Sequence, residues 1–82
     1  MNGPVSALLA ALLTVVPGAF AYDSRTQMDK IDAALAKGPQ IAGYQIAEVM
    51  RLRKRGEQLY LAGNHAESDK VLRRAMEILG IK

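Results

Sequence analysis

His65 and Asp69 stand four residues apart, a spacing that brings an imidazole and a carboxylate onto one helix face, and they are the residues in this chain closest to a metal-binding pair. Two ligands fall short of the three or four that Zn²⁺ or Cu²⁺ sites use, and the chain has no second histidine and no cysteine to complete the set. The pair is therefore a weak metal candidate, and no cofactor is expected. Ser24, Ser68 and His65 supply hydroxyls and an imidazole, but no nucleophile elbow, oxyanion glycine or second base accompanies them. Asp23, Asp29 and Asp32 crowd one segment without the alternating acids, central glycine and closing glutamate of a calcium loop. Asp69, Arg73 and Glu77 form a ladder of alternating sign at steps of four, which supports a helix and needs no ligand. Nothing here forms a catalytic constellation, and the expectation is a protein that is not an enzyme.

Recognition is the chemistry left to consider. Arg51, Arg53, Lys54 and Arg55 are the densest run of charge. Glu48 can pair with Arg51 at three residues and Glu57 with Arg53 at four, whereas Lys54 and Arg55 have no local partner of that kind. Tyr44 and Tyr60 are amphipathic aromatics of the type that anchors interfaces, although their helical spacing beside apolar residues also suits core packing. Arg51, Lys54, Arg55, Tyr44 and Tyr60 are thus the candidate binding residues, the basic run being suited to an acidic protein surface or to anionic lipid headgroups.

The elements that must position them read as helices, because apolar residues recur at a period of 3.6 and nowhere at a period of 2. The first helix is expected from about 25 to 36, with Ser24 as cap and Gln27 in capping-box spacing, and with Met28, Ile31 and Leu35 on one face. Gly38-Pro39 should stop it, and Pro39 suits the first position of the next helix, expected over 39–62 with its well-formed part starting nearer Gln45. Val49, Leu52, Gly56 and Leu59 stripe that helix. Gly63 should end it in the left-handed conformation and Asn64 should cap a third helix over 65–79, with Glu67 in its first turn. Ser68, Leu72, Ala75 and Leu79 form the facing stripe. Gly80 terminates the chain's last helix, and Val71 and Ile78, with Met76 nearby, offer a second apolar set to receive the first helix. The chain contains no low-complexity stretch and no complete internal duplication.

The front of the chain has a different character. An apolar run from Val5 to Val16 is broken by Pro17-Gly18 and closed by Ala19-Phe20-Ala21, the pattern of an export signal with its cleavage site, so residues 1–21 are expected to be a signal peptide and 22–82 the mature domain. The usual Lys or Arg at the start is missing, which leaves open a true start upstream of Met1. The stretch between Pro4 and Pro17 is shorter than the ~20 residues of a membrane-spanning helix. All 11 Lys and Arg and all 8 Asp and Glu follow Ala21, so the net +3 belongs to the mature part. A periplasmic or secreted location makes nucleic acid an unexpected partner, and a membrane enters only if the N-terminal segment is retained as an anchor. A domain of about 60 residues buries only ~60% of its unfolded surface, which favours association with itself or with a larger partner.

From Ala47 to Gly80 the chain resembles a single tetratricopeptide repeat, a helix-turn-helix unit of about 34 residues. Leu52, Gly56, Leu59 and Tyr60, the Gly63-Asn64 turn, and Ser68, Leu72 and Ala75 carry the pattern of large and small positions. Arg55 departs from it at a position where the family has an aliphatic residue, and Gly80 stands where a closing proline often falls. The resemblance implies an antiparallel helical hairpin and protein association. A lone unit lacks the concave groove that about three stacked repeats create. The expected fold is all-α, a repeat-like hairpin with a short N-terminal helix against it. The expected function is a small exported protein-interaction module, with a periplasmic metal carrier or a membrane-anchored accessory subunit as alternatives.

Overall fold

The computed structural model describes residues 23–82, which form three α-helices and no strand. They are α1 (Ser24–Ala36), α2 (Gly43–Leu61) and α3 (His65–Leu79). The expected signal sequence and its cleavage site after Ala21 lie outside the described residues. Among those described, no helix is long and apolar enough to cross a membrane.

Helix α1 starts one residue earlier than its sequence suggests, and the cap is Asp23 rather than Ser24. The Asp23 carboxylate accepts from the Thr26 backbone N–H at 3.2 Å and from the Thr26 hydroxyl at 2.7 Å. A carboxylate satisfies the exposed amide and also meets the positive end of the helix dipole, which gives it the advantage over a neighbouring hydroxyl. Ser24 is released from capping and is fully buried. Gln27, expected to complete a capping box, instead donates from Nε2 to Asp69 Oδ1 at 3.0 Å. The helix ends at Gly38, whose φ of 73° places it in the left-handed region. Its N–H donates to Leu35 O at 3.1 Å. Pro39 has no N–H with which to add the outer bond of that motif.

Pro39 does not open α2, contrary to the sequence reading. Residues 39–42 connect the helices, and α2 begins at Gly43, four residues later than the proline suggested. The entry is held by Gln45, whose Oε1 accepts from Ala42 N–H at 3.0 Å. Alanine at the cap has no side-chain acceptor, so only this half of a capping box exists. At the other end Gly63 N–H donates to Tyr60 O at 3.0 Å and Asn64 N–H to Leu59 O at 2.8 Å, with Gly63 at a φ of 83°. This pair of bonds is the Schellman motif. Asn64 therefore closes α2 with its backbone and precedes α3 directly, and its side chain makes no capping hydrogen bond. Gly80 and Ile81 end α3 by the same two bonds, to Glu77 O at 3.0 Å and Met76 O at 2.9 Å.

The core is built from Met28 and Ile31 of α1, Val49 and Leu52 of α2, and Leu72 and Ala75 of α3. The stripes expected on α2 and α3 meet. Gly56 packs so closely on Leu72 that a Cβ there would lie 2.5 Å from Leu72 Cγ. Ser68 Oγ donates to Gly56 O at 2.7 Å across the same approach. Leu59 and Leu79 are only half-buried. Helix α1 reaches α3 through Ser24 and Ser68, whose hydroxyls lie 2.9 Å apart, and through Gln27 and Asp69. It reaches α2 through Asp32 and Arg53 at 2.8 Å and through Arg25 and Tyr60 at 3.0 Å. Val71 and Ile78 lie about 160 to 180° around α3 from Asp69, at 100° per residue, so α1 takes the opposite flank from the one they were expected to offer.

Candidate functional site

The basic run of α2 divides into tied and free charges. Arg51 grips Glu48 with two hydrogen bonds, Nε to Oε1 at 3.0 Å and Nη2 to Oε2 at 2.7 Å, which holds the Glu48 carboxyl below the usual carboxylate range and raises the guanidinium. Arg53 forms a fork on Asp32 at 2.9 and 2.8 Å and reaches Glu57 at 2.9 Å. Its hydrogen bond to Asp32 lowers that carboxyl and raises Arg53 in turn. Arg53 is therefore a strut between α1 and α2. Lys54 and Arg55 are exposed and have no ion-pair partner among the described residues.

The two tyrosines have different surroundings. Tyr44, at the start of α2, is 78% exposed. At 100° per residue it shares a stripe with Glu48, Arg51 and Arg55, so an exposed aromatic and an unpaired guanidinium lie along one side of the helix. Tyr60 is half-buried against the core. Its hydroxyl accepts from Arg25 Nε, the Arg25 guanidinium lies 5.8 Å from the ring centroid, and His65 meets the ring edge-on at 5.1 Å. Tyr60 thus joins α1, α2 and the start of α3.

His65 and Asp69 are not assembled around a common point. His65 is exposed and packs on Tyr60, while Asp69 is buried with Oδ1 accepting from Gln27 and Oδ2 from Arg73 at 2.7 Å. No cluster of three His, Cys, Asp or Glu residues suited to a metal ion occurs among the described residues. The Asp69–Arg73 rung of the expected ladder is formed.

Sequence reasoning overlooked the polar contacts that α1 makes. Ser68 Oγ gives its proton to Gly56 O, so Ser24 must donate to Ser68, and one buried chain of hydroxyls links all three helices. The signal was present in small hydroxyl residues falling on apolar stripes, where a buried serine needs a partner. Comparison with family models, with curated proteins and with solved structures finds no match.

Proposed function

We propose that this chain is a small exported module that works by binding another protein, with no catalysis of its own. Its α2–α3 pair is read as an antiparallel hairpin resembling one tetratricopeptide unit, and α1 takes the place of a neighbouring repeat. The close approach at Gly56 and the tight turn at Gly63 support that reading of the hairpin. The resemblance rests on the pattern of large and small residues.

The observation that carries the function is the separation of charges on α2. Arg51 and Arg53 are consumed by carboxylates of the same molecule, whereas Lys54 and Arg55 are left for an acidic partner, with Tyr44 exposed on the stripe that holds Arg55. Arg51 contributes a neutralised, bidentate surface beside them. Tyr60 supports the fold at the other end of the helix. Exposed aromatic and arginine residues without internal partners are the usual anchors of protein interfaces. The test is a pull-down from the native compartment with the wild-type chain and with Lys54→Glu/Arg55→Glu. Loss of a recovered protein in the variant is expected. Equal recovery by both would remove the reading.

A further inference from the structure

Helices α2 and α3 carry one pattern of side chains twice. Ala47-Glu48, Arg51-Leu52, Lys54-Arg55-Gly56 and Leu59 are matched in order and spacing by Ala66-Glu67, Lys70-Val71, Arg73-Arg74-Ala75 and Ile78. The structure repeats the contacts as well as the letters. Arg51 pairs with Glu48 and Lys70 with Glu67, each across three residues, and Gly56 and Ala75 are both buried at corresponding places. Because α3 doubles back along α2, the two copies point in opposite directions and are related by an approximate two-fold axis. Leu52 and Val71 are equivalent under that axis and line one shallow cleft of about 420 Å³ together with Lys70, Arg73, Arg74 and Glu77.

Around this cleft runs a face that α1 does not use. On α2 it carries Glu48, Leu52, Arg55 and Leu59 at steps of four, three and four, and on α3 Glu67, Val71, Arg74 and Ile78 at the same steps. The α1 contacts fall instead on Arg53, Tyr60, Ser68 and Asp69. Leu59, Val71 and Ile78 are left half-buried, so part of each aliphatic side chain remains uncovered among the described residues. Both glutamates of the face are held by basic neighbours. Arg55 and Arg74 are exposed and form no ion pair among the described residues. The face is therefore an aliphatic strip with one arginine on each side of its centre; Arg55 has no carboxylate partner, whereas Arg74 helps Arg51 hold the Glu48 carboxyl low and shares the cleft with Glu77.

We infer that this face is a groove for an acidic amphipathic helix of a partner protein, its apolar side lying along the half-buried Leu59, Val71 and Ile78 over the buried Leu52, and its carboxylates meeting Arg55 and Arg74. This rests on the proposed protein-binding function and moves its centre from the basic run of α2 to the seam between α2 and α3. A second copy of the chain is the poorer occupant, because a two-fold contact through this face would bring four like-charged guanidiniums together. The approximate symmetry has a testable consequence. Arg55 and Arg74 occupy equivalent positions and should both contribute, although they come from different helices.

Fluorescence anisotropy with the full chain tests this, using a labelled synthetic helix with leucines at alternating steps of three and four flanked by glutamates. A lysine-flanked version and phosphatidylglycerol vesicles serve as the other arms. The acidic helix should bind and the lysine version should not. Arg55→Glu and Arg74→Glu should each weaken binding about fivefold, while Lys30→Glu, an exposed position on α1 away from the groove, should change it less than about twofold. Circular dichroism checks that each variant remains helical, and Arg74→Gln, expected to lose about threefold, replaces Arg74→Glu if that variant does not. Unchanged affinity on Arg74 substitution, equal binding of both peptides, or binding to vesicles without binding to the acidic helix would overturn the groove. Loss of partner recovery with Lys54→Glu/Arg55→Glu alongside an indifferent Arg74 would leave the protein-binding function standing and remove only this site.

Discussion

Two glycines of α2 illustrate how one substitution changes sign with its surroundings. At Gly56 an added methyl group would meet Leu72 Cγ at 2.5 Å inside the core, and Leu72 is fully buried with little room to turn away. Overpacking of this kind costs about 1–3 kcal/mol, which outweighs the ~1 kcal/mol that alanine gains over glycine in a helix. Gly56→Ala should therefore lower the melting temperature. At Gly43 a Cβ would meet nothing within 4 Å, and its φ lies outside the left-handed region, so Gly43→Ala should raise stability by up to about 1 kcal/mol. The buried hydroxyls give a second residue-level test. Ser68→Ala leaves the Ser24 hydroxyl without its acceptor and should cost about 1–3 kcal/mol in a urea titration, and Ser24→Ala about 1 kcal/mol. The double variant should cost less than the two added together, because neither buried hydroxyl then remains to be satisfied. Additive losses would mean that the two serines do not share a bond.

At the scale of elements, the ion pair between α1 and α2 sets a pH dependence. The Asp32 carboxyl is held low by its hydrogen bonds from Arg53. A depressed folded value means that the contribution is complete above the ordinary carboxylate value of about 4 and is lost as pH falls below it. Both side chains are partly exposed, 25% for Arg53 and 50% for Asp32, so solvent screening limits the effect to within about 1 kcal/mol. Asp32→Asn should flatten the acid limb of the stability profile by that amount and leave the neutral plateau lower. Helix number, the two glycine stops after α2 and α3, and the meeting of Gly56 with Leu72 are legible in the sequence because period and left-handed glycine are local properties. The cap of α1 is not, because Asp23 and Ser24 are both good caps, and only the burial of Ser24 against Ser68 in the fold decides between them. The start of α2 is not, because proline permits a helix start without requiring one. The face for α1 misleads because aliphatic Val71 and Ile78 stand out in sequence, whereas the docking is steered by Ser68 and Asp69. Among the candidate binding residues, the pairing of Arg51 is readable from Glu48. The tertiary role of Tyr60 is not, since Arg25 lies 35 residues away. The repeated pattern in α2 and α3 is equally hard to see, because it is carried by residue class more than by identity.

For the molecule as a whole, the core is small. Six buried apolar side chains from three helices are supported by one hydroxyl chain and one interhelical ion pair among the described residues, in a domain size at which a single core leaves only a few kcal/mol of net stability. A partner that covers the half-buried aliphatics would add burial where the isolated domain has least, and binding to the folded state would raise its stability by mass action. Self-association through the α2–α3 face is opposed by its arginines, so the full chain should sediment without concentration-dependent growth through that face, and Arg55→Glu should not be needed to keep copies apart. The whole account turns on a small helical protein outside the cytoplasm engaging another protein. Recovery of the native protein from its own compartment after mild crosslinking, with its N-terminus sequenced and its attached proteins identified, tests that most directly. The expected result is a chain beginning at Tyr22 and joined in fixed proportion to one protein through crosslinks at Lys54 or Lys70. A chain recovered alone, or one retaining residues 1–21 and crosslinked to nothing, would contradict it.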